Sequence, residues 1–242
     1  MSHRVVVRFE GIKNAHAWDR PAWVAAIWRL FTLSGMKDVA KFHDYNDSKG
    51  FIWNLEEVSQ NNFSLEFASI REDLVQAVSD GAKSLIQKGE ALSLSKDVIL
   101  KVLDVVPVQD FAIVDGSLRL NAVSGIIVNR HTKIGCGKGK RRHYAVSPYE
   151  NRDSYLGRIK RNLIAKVRAF CDKTLTEEDF GVSILSAGLS QSISYQNISL
   201  QGYPCSLQIT GPKEVLEVAL YAGVGTHNGF GCGMLTPMRK ER

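Results

Sequence analysis

Apolar and polar positions alternate over residues 2–10, which are rich in β-branched side chains, and this period of two predicts an opening strand with Arg4, Arg8 and Glu10 on one face. The period then changes. Trp23, Ile27, Leu30 and Phe31 recur at i, i+4, i+7 and i+8, which predicts an inward-packing helix. Asp19-Arg20-Pro21 supplies its cap and first-turn proline, and Ser34-Gly35 stops it after Leu33. A further short helix over Val39, Ala40 and Phe42 would carry His43 near its end. Residues 51–55 and 63–70 read as an antiparallel pair across Ser59-Gln60-Asn61-Asn62, residues 72–87 as a helix with Leu74, Val75, Val78 and Leu85 inward, and residues 99–108 as a strand. That β-α-β-β-α-β order is the ferredoxin-like one.

Val106-Pro107-Val108-Gln109-Asp110 reads as a junction, dividing the chain into expected domains 1–108 and 109–242. Beyond it the same order recurs. Residues 118–129 predict a strand, and residues 155–171 a helix with Leu156, Ile159, Leu163, Ile164 and Val167 on one side. Arg158, Lys160, Arg161, Lys166 and Arg168 are expected on the other side. Residues 193–200 and 205–210 predict a hairpin across Gln201-Gly202-Tyr203-Pro204, followed by a helix over 212–221. The expected fold class is therefore α+β, with two tandem ferredoxin-like, RRM-like domains and the second carrying both loops described below.

Composition changes this picture little: 44% apolar and 23% charged residues suit a globular protein. No apolar run reaches the roughly 18–20 residues that span a bilayer, and no secretory leader opens the sequence, so a cytoplasmic protein with no membrane partner is expected. Cys136, Cys171, Cys205 and Cys232 form no CxxC or Cys/His cluster, so free thiols are expected, with no metal and no cofactor. Charge is more informative. The net +6 divides into −1 for residues 1–108 and +7 for residues 109–242, and residues 130–168 hold 12 Lys and Arg against Glu150 and Asp153. Such a stretch is the footprint of a polyanion partner.

Two segments in the basic half carry the candidate chemistry. Residues 129–143 place Arg130, Lys133, Lys138, Lys140, Arg141 and Arg142 among three glycines, with His131 and His143 beside them, and read as a flexible basic loop able to close over an RNA backbone. Residues 223–234, Gly-Val-Gly-Thr-His-Asn-Gly-Phe-Gly-Cys-Gly-Met, place glycine at 223, 225, 229, 231 and 233 around His227. Glycines remove the Cβ barrier to positive φ and let backbone N–H groups approach an anion. Neither the GxxxxGK[ST] nor the GxGxxG spacing of nucleotide loops occurs there, and the loop follows a predicted helix instead of a strand.

That loop resembles the C-terminal glycine-rich loop of the CRISPR repeat-processing endoribonucleases of the RAMP superfamily. The N-terminal third is similar too: the strand Arg4-Val5-Val6-Val7-Arg8-Phe9, the helix over 22–33, Phe42-His43-Asp44, then Lys49-Gly50-Phe51-Ile52-Trp53-Asn54-Leu55. The resemblance implies a protein that binds CRISPR repeat RNA and cuts the precursor once within each repeat, without a metal, using the RNA's own 2′-hydroxyl. It implies a catalytic His43, suited to proton transfer near neutral pH, with Lys49 stabilising the charge that develops on phosphate. The glycine loop, with His227, and the basic segment would hold RNA. Where many members carry a tyrosine in the first helix, this chain has Trp28, whose indole donates a hydrogen bond but exchanges no proton usefully. The third catalytic role is thereby open, and so is the alternative of a non-catalytic RAMP subunit that holds RNA in a CRISPR effector. Effector subunits and a second copy of the chain are the protein partners that the resemblance suggests.

Overall fold

The computed structural model describes residues 2–16, 19–36, 50–111, 113, 116–133, 141–195 and 198–238. The chain divides into two compact units. The first comprises Met1–Ala112 with two short returns, Ser194–Asn197 and Asn228–Gly231; the second comprises Ile113–Ile193, Ile198–His227 and Cys232–Arg242.

In the first unit, strand β1 (Arg4–Lys13), helix α1 (Arg20–Leu33), strands β2 (Phe51–Ser59) and β3 (Asn62–Ser69), helix α2 (Glu72–Lys88), and strands β4 (Leu92–Ser93) and β5 (Ile99–Val108) follow in order. The antiparallel sheet runs β2-β3-β1-β5-β4, so its four long strands have the ferredoxin-like arrangement. On one face Val5, Val7 and Phe9 of β1 stand opposite Phe67, Leu65 and Phe63 of β3 and share a core with α1 and α2. Trp23 is the centre of that core's aromatic packing, with its ring 5.4 Å from Phe9 and 5.2 Å from Phe63. Its indole N–H donates to the His16 carbonyl at 3.0 Å, so the one polar atom of the side chain is satisfied. Asp19 accepts from the Ala22 N–H at 3.2 Å, which caps α1 where the sequence places the cap. Arg4, expected on a polar face, is buried instead; its guanidinium donates to Glu66 at 2.7 Å and lies over the Phe111 ring. The two helices touch at Gly81, where an added Cβ would lie 2.1 Å from the Leu30 carbonyl oxygen.

The second unit contains β6 (Ser117–Ala122), β7 (Asn129–Lys133), β8 (Arg141–Ala145), α3 (Arg152–Cys171), β9 (Gly181–Ala187), β10 (Gln191–Tyr195), β11 (Ile198–Gly202), β12 (Cys205–Thr210), α4 (Lys213–Tyr221) and β13 (Leu235–Pro237). Its main sheet runs β13-β6-β12-β9, again ferredoxin-like. Three elements differ from the sequence reading, the first being the strand expected over 118–129, which ends at Ala122. β12 pairs with β6 and β9, whereas β10 and β11, in place of the strand expected over 193–200, form a separate two-stranded sheet. β9 is an edge strand with Val182 as its buried position, so it carries almost no alternation to read. The basic segment, expected as a loop, begins and ends as the paired strands β7 and β8, with His131 opposite His143. Its charged side chains hide the strand pattern, since backbone pairing carries no side-chain signature.

Candidate nucleic-acid interface

The glycine-rich loop leaves α4 and is built from the inside out. Val224 is fully buried, and its N–H donates to the Gly233 carbonyl at 3.0 Å, closing the base of the loop. Thr226 N–H donates to Ile127 O at 2.8 Å, and Cys232 N–H reaches His227 O at 3.4 Å. Gly225, at φ +74°, lies where a Cβ would stand 2.5 Å from that same Ile127 carbonyl. Glycine at 225 therefore serves close backbone packing, whatever the loop also binds. Gly223 and Gly233 lie in the buried base, with His227, Asn228 and Gly229 half-exposed between them. His227 Nε2 lies 3.1 Å from the Asn129 side-chain amide nitrogen, a hydrogen-bond donor.

The tip of the loop, a single 3-10 turn over Asn228–Phe230, is part of the first unit. Arg20 holds it. Its guanidinium donates to the carbonyls of Phe230 at 2.6 Å and Gly231 at 3.2 Å while lying over the Trp53 ring, 5.6 Å from its centroid. Trp53 adds its indole N–H to the Gly229 carbonyl at 2.9 Å. Three successive carbonyls are thus turned toward one arginine and one tryptophan. Gly231 completes the fit, because a Cβ there would lie 2.8 Å from the Arg20 guanidinium and 2.9 Å from the Trp53 carbonyl. Arg20→Ala should cost about 1.5–3 kcal/mol, as expected for bonds from a charged donor, and Trp53→Phe about 1 kcal/mol. Amide hydrogen exchange at residues 228–231 checks this: both variants should exchange faster there, and unchanged protection would mean that the clasp does not hold the tip.

The opposite end of the loop is held by a buried cation. Lys166, placed by the sequence reading on the polar side of its helix, is 1% exposed, and its ammonium donates to the carbonyls of Ala222 at 3.0 Å and Gly223 at 2.6 Å. Those carbonyls end α4, where a cation is favourable. Burial nevertheless pushes the Lys166 pKa down to about 7. Between about pH 7 and 10 the unfolded chain then binds one more proton at this side chain than the folded chain does, so this group makes stability rise with pH. Below pH 7 both states are protonated and the contribution is flat. The stability of the wild type minus that of Lys166→Met, from urea unfolding, should therefore rise with pH above 7, by up to about 1.4 kcal/mol per unit. A pH-independent difference would show that the amine stays charged.

The expected site residues fall into three groups. Gly223, Gly225, His227, Gly229, Gly231 and Gly233 come together in the one loop. Arg130 and Lys133 lie on β7 and Arg141 and Arg142 on β8, so the paired strands bring these four onto one hairpin. His43, Lys49, Lys138 and Lys140 lie outside the described residues. Of the aromatic side chains, Trp53 and Tyr155 are buried in packing, while Tyr149 is 61% exposed. Arg20 and Lys166 are the residues that sequence reasoning missed. Each had a signal: a cation at the start of α1 opposes the helix dipole and so needs another partner, and Lys166, seven positions after Ile159, falls on the apolar stripe of α3. Among the described residues no group of three or more His, Cys, Asp or Glu side chains is arranged to hold a metal, and no helix is long and apolar enough to cross a membrane.

No curated protein matches the chain. Among solved structures, a Cas6-related protein from Pyrococcus furiosus superposes with a TM-score of 0.80 at 14% identity, covering 100% of both chains. A RAMP protein described as binding different RNA substrates gives 0.78 at 16% identity, over 98% of this chain and 99% of that one. A Cas6 product complex from Thermus thermophilus gives 0.71 at 14% identity, over 98% and 100%. At such identities the likeness carries the fold, two tandem ferredoxin-like domains. The family model for the C-terminal part of the CRISPR-associated protein Cas6 matches residues 107–237, a stretch that spans more than half of the chain and contains both the basic hairpin and the whole glycine loop. The chain belongs to the Cas6 family of CRISPR-associated proteins.

Proposed function

We propose that the protein is a cytoplasmic endoribonuclease that binds precursor CRISPR RNA and cuts within each repeat by metal-independent transesterification. The observation that carries this reading is the Cas6 match over residues 107–237, within which the glycine loop and the basic hairpin both lie. In the reaction a repeat 2′-oxygen bonds to the adjacent phosphorus as the bond to the 5′-oxygen breaks, leaving a 2′,3′-cyclic phosphate and a 5′-hydroxyl. His43 moves the proton, from the 2′-hydroxyl or to the departing 5′-oxygen, and Lys49 stabilises charge on the phosphorane-like transition state. The backbone of the glycine loop, with His227, and the basic-segment cations Arg130, Lys133, Lys138, Lys140, Arg141 and Arg142 hold the RNA strand.

One observation favours a second reading, an RNA-holding subunit without catalysis. Trp28, at the place where many relatives have a tyrosine, is committed to packing: its ring stands edge-on to Phe31 at 5.5 Å and to Phe51 at 6.2 Å. A single experiment separates the two. Purified protein is incubated in EDTA with a labelled repeat RNA, beside a copy carrying one 2′-deoxynucleotide at the cut position. A single cut that the deoxy substitution blocks supports the endoribonuclease, and tight binding without a cut supports the subunit.

A further inference from the structure

Beside the first glycines of the loop, the second unit holds a half-open cleft of about 190 Å³. One wall is α3, with Arg158, Arg161 and Asn162, and the other is formed by Asn129, Gly225 and Thr226. Its size suits one planar ring. Its charge is positive. Arg158 donates to the Asn129 carbonyl at 3.1 Å, which holds one guanidinium in the wall. Arg161 is 59% exposed and reaches Glu177 at 3.4 Å, a contact too long and too exposed to contribute much, so its guanidinium exchanges partners at little cost. The third feature is a buried acceptor: Asn162 Oδ1 is shielded from solvent and accepts no hydrogen bond. An acceptor in that state is unfavourable, and the amide torsion is broad enough for a small rotation to turn it to the cleft.

These features together select the occupant. A fully deprotonated anion such as sulfate would satisfy the guanidinium groups and offer Asn162 no donor, hydrogen phosphate would offer only its own O–H, and an apolar ligand would satisfy neither. A nucleotide brings a phosphate and base N–H donors in one unit. We propose that the cleft is a subsite for one unpaired nucleotide of bound RNA, with its phosphate on Arg158 and Arg161 and a base-edge N–H on Asn162 Oδ1. The inference rests on the reading of this protein as one that binds CRISPR RNA, and it adds a position at which a base outside any duplex is held. Thr226 in the cleft wall and the neighbouring His227–Asn129 pair put that base next to the first two polar side chains of the loop.

The test titrates a series of repeat RNAs, each with one abasic nucleotide, against the full chain and its Asn162→Leu and Arg161→Gln variants. The wild type should show one unpaired position at which losing the base weakens binding about tenfold. Asn162→Leu should weaken intact RNA by a similar factor and abolish the sensitivity at that position alone. Arg161→Gln, at an exposed site that tolerates substitution without unfolding, should lower the slope of log affinity against log salt by about one. Variants that bind intact RNA as the wild type does, with the abasic pattern unchanged, would overturn the subsite and leave RNA binding standing. A mononucleotide that competes as well as the intact repeat would overturn the assignment to RNA. A wild type that binds no repeat RNA would sink the underlying reading and the subsite with it.

Discussion

His43→Ala should slow cleavage of repeat RNA by about 10²- to 10⁴-fold, the usual contribution of one positioned acid or base, while affinity for the RNA stays within a few-fold. The separation of the two effects follows from the chemistry. A group that moves a proton in the transition state contributes to rate, whereas ground-state affinity comes from phosphate and base contacts made elsewhere on the protein. Single-turnover rates under excess protein are the proper readout, because product release can otherwise mask the chemical step. Lys49→Ala should also fall in rate with affinity little changed, as expected of a cation that stabilises developing charge. Parental rates in the His43 variant would remove it from the reaction, and the RNA-holding reading would then be the stronger one.

Gly81→Val should destabilise the first unit by about 3 kcal/mol or more, and here two effects of opposite sign compete. At an exposed helix position, replacing glycine with a residue of higher helix propensity would stabilise by up to about 1 kcal/mol. At Gly81 the new Cβ would stand 2.1 Å from the Leu30 carbonyl oxygen, within the backbone of the neighbouring helix, which cannot rotate aside as a side chain does. Separating α1 from α2 to make room would loosen the contacts of Leu30 and Phe31, both at most 1% exposed, so the steric cost exceeds the propensity gain. Urea unfolding of Gly81→Ala beside Gly81→Val checks the argument, with the alanine variant expected to lie between glycine and valine. Stabilisation by alanine would mean that the helices part without cost.

The first unit was legible where its burial is one-sided. Val5, Val7 and Phe9, then Trp23, Ile27, Leu30 and Phe31, then Leu74, Val78 and Leu85 write periods of two and of about 3.6 into the sequence, and each period reports a face that packs. β9 was missed where burial is weakest, and the nearby β-branched residues Ile193 and Ile198 drew the strand assignment to a hairpin that pairs locally. The glycine loop was visible as composition, but the reason for two of its glycines was not. Gly225 and Gly231 press on the carbonyls of Ile127 and Trp53, and a backbone carbonyl has no letter in a sequence. The same holds for Arg20, whose acceptors lie 210 and 211 residues away. Lys166 was misread for a different reason: lysine is almost never fully buried, so its type outweighed its position on the stripe.

The clasp on residues 228–231 sets a schedule for synthesis. Once Val108 has left the ribosome, every strand of the first unit's sheet exists, yet the carbonyls that Arg20 and Trp53 bind have not been made. At about 5–20 residues per second, the roughly 120 residues between them take about 6–24 s to translate. For that interval the nascent unit carries an indole N–H and a guanidinium without their final acceptors, beside a surface shaped for a chain segment still to come. A nascent chain halted before Asn228 should therefore show a formed sheet with Trp53 open to a fluorescence quencher, and extension past Gly231 should close it.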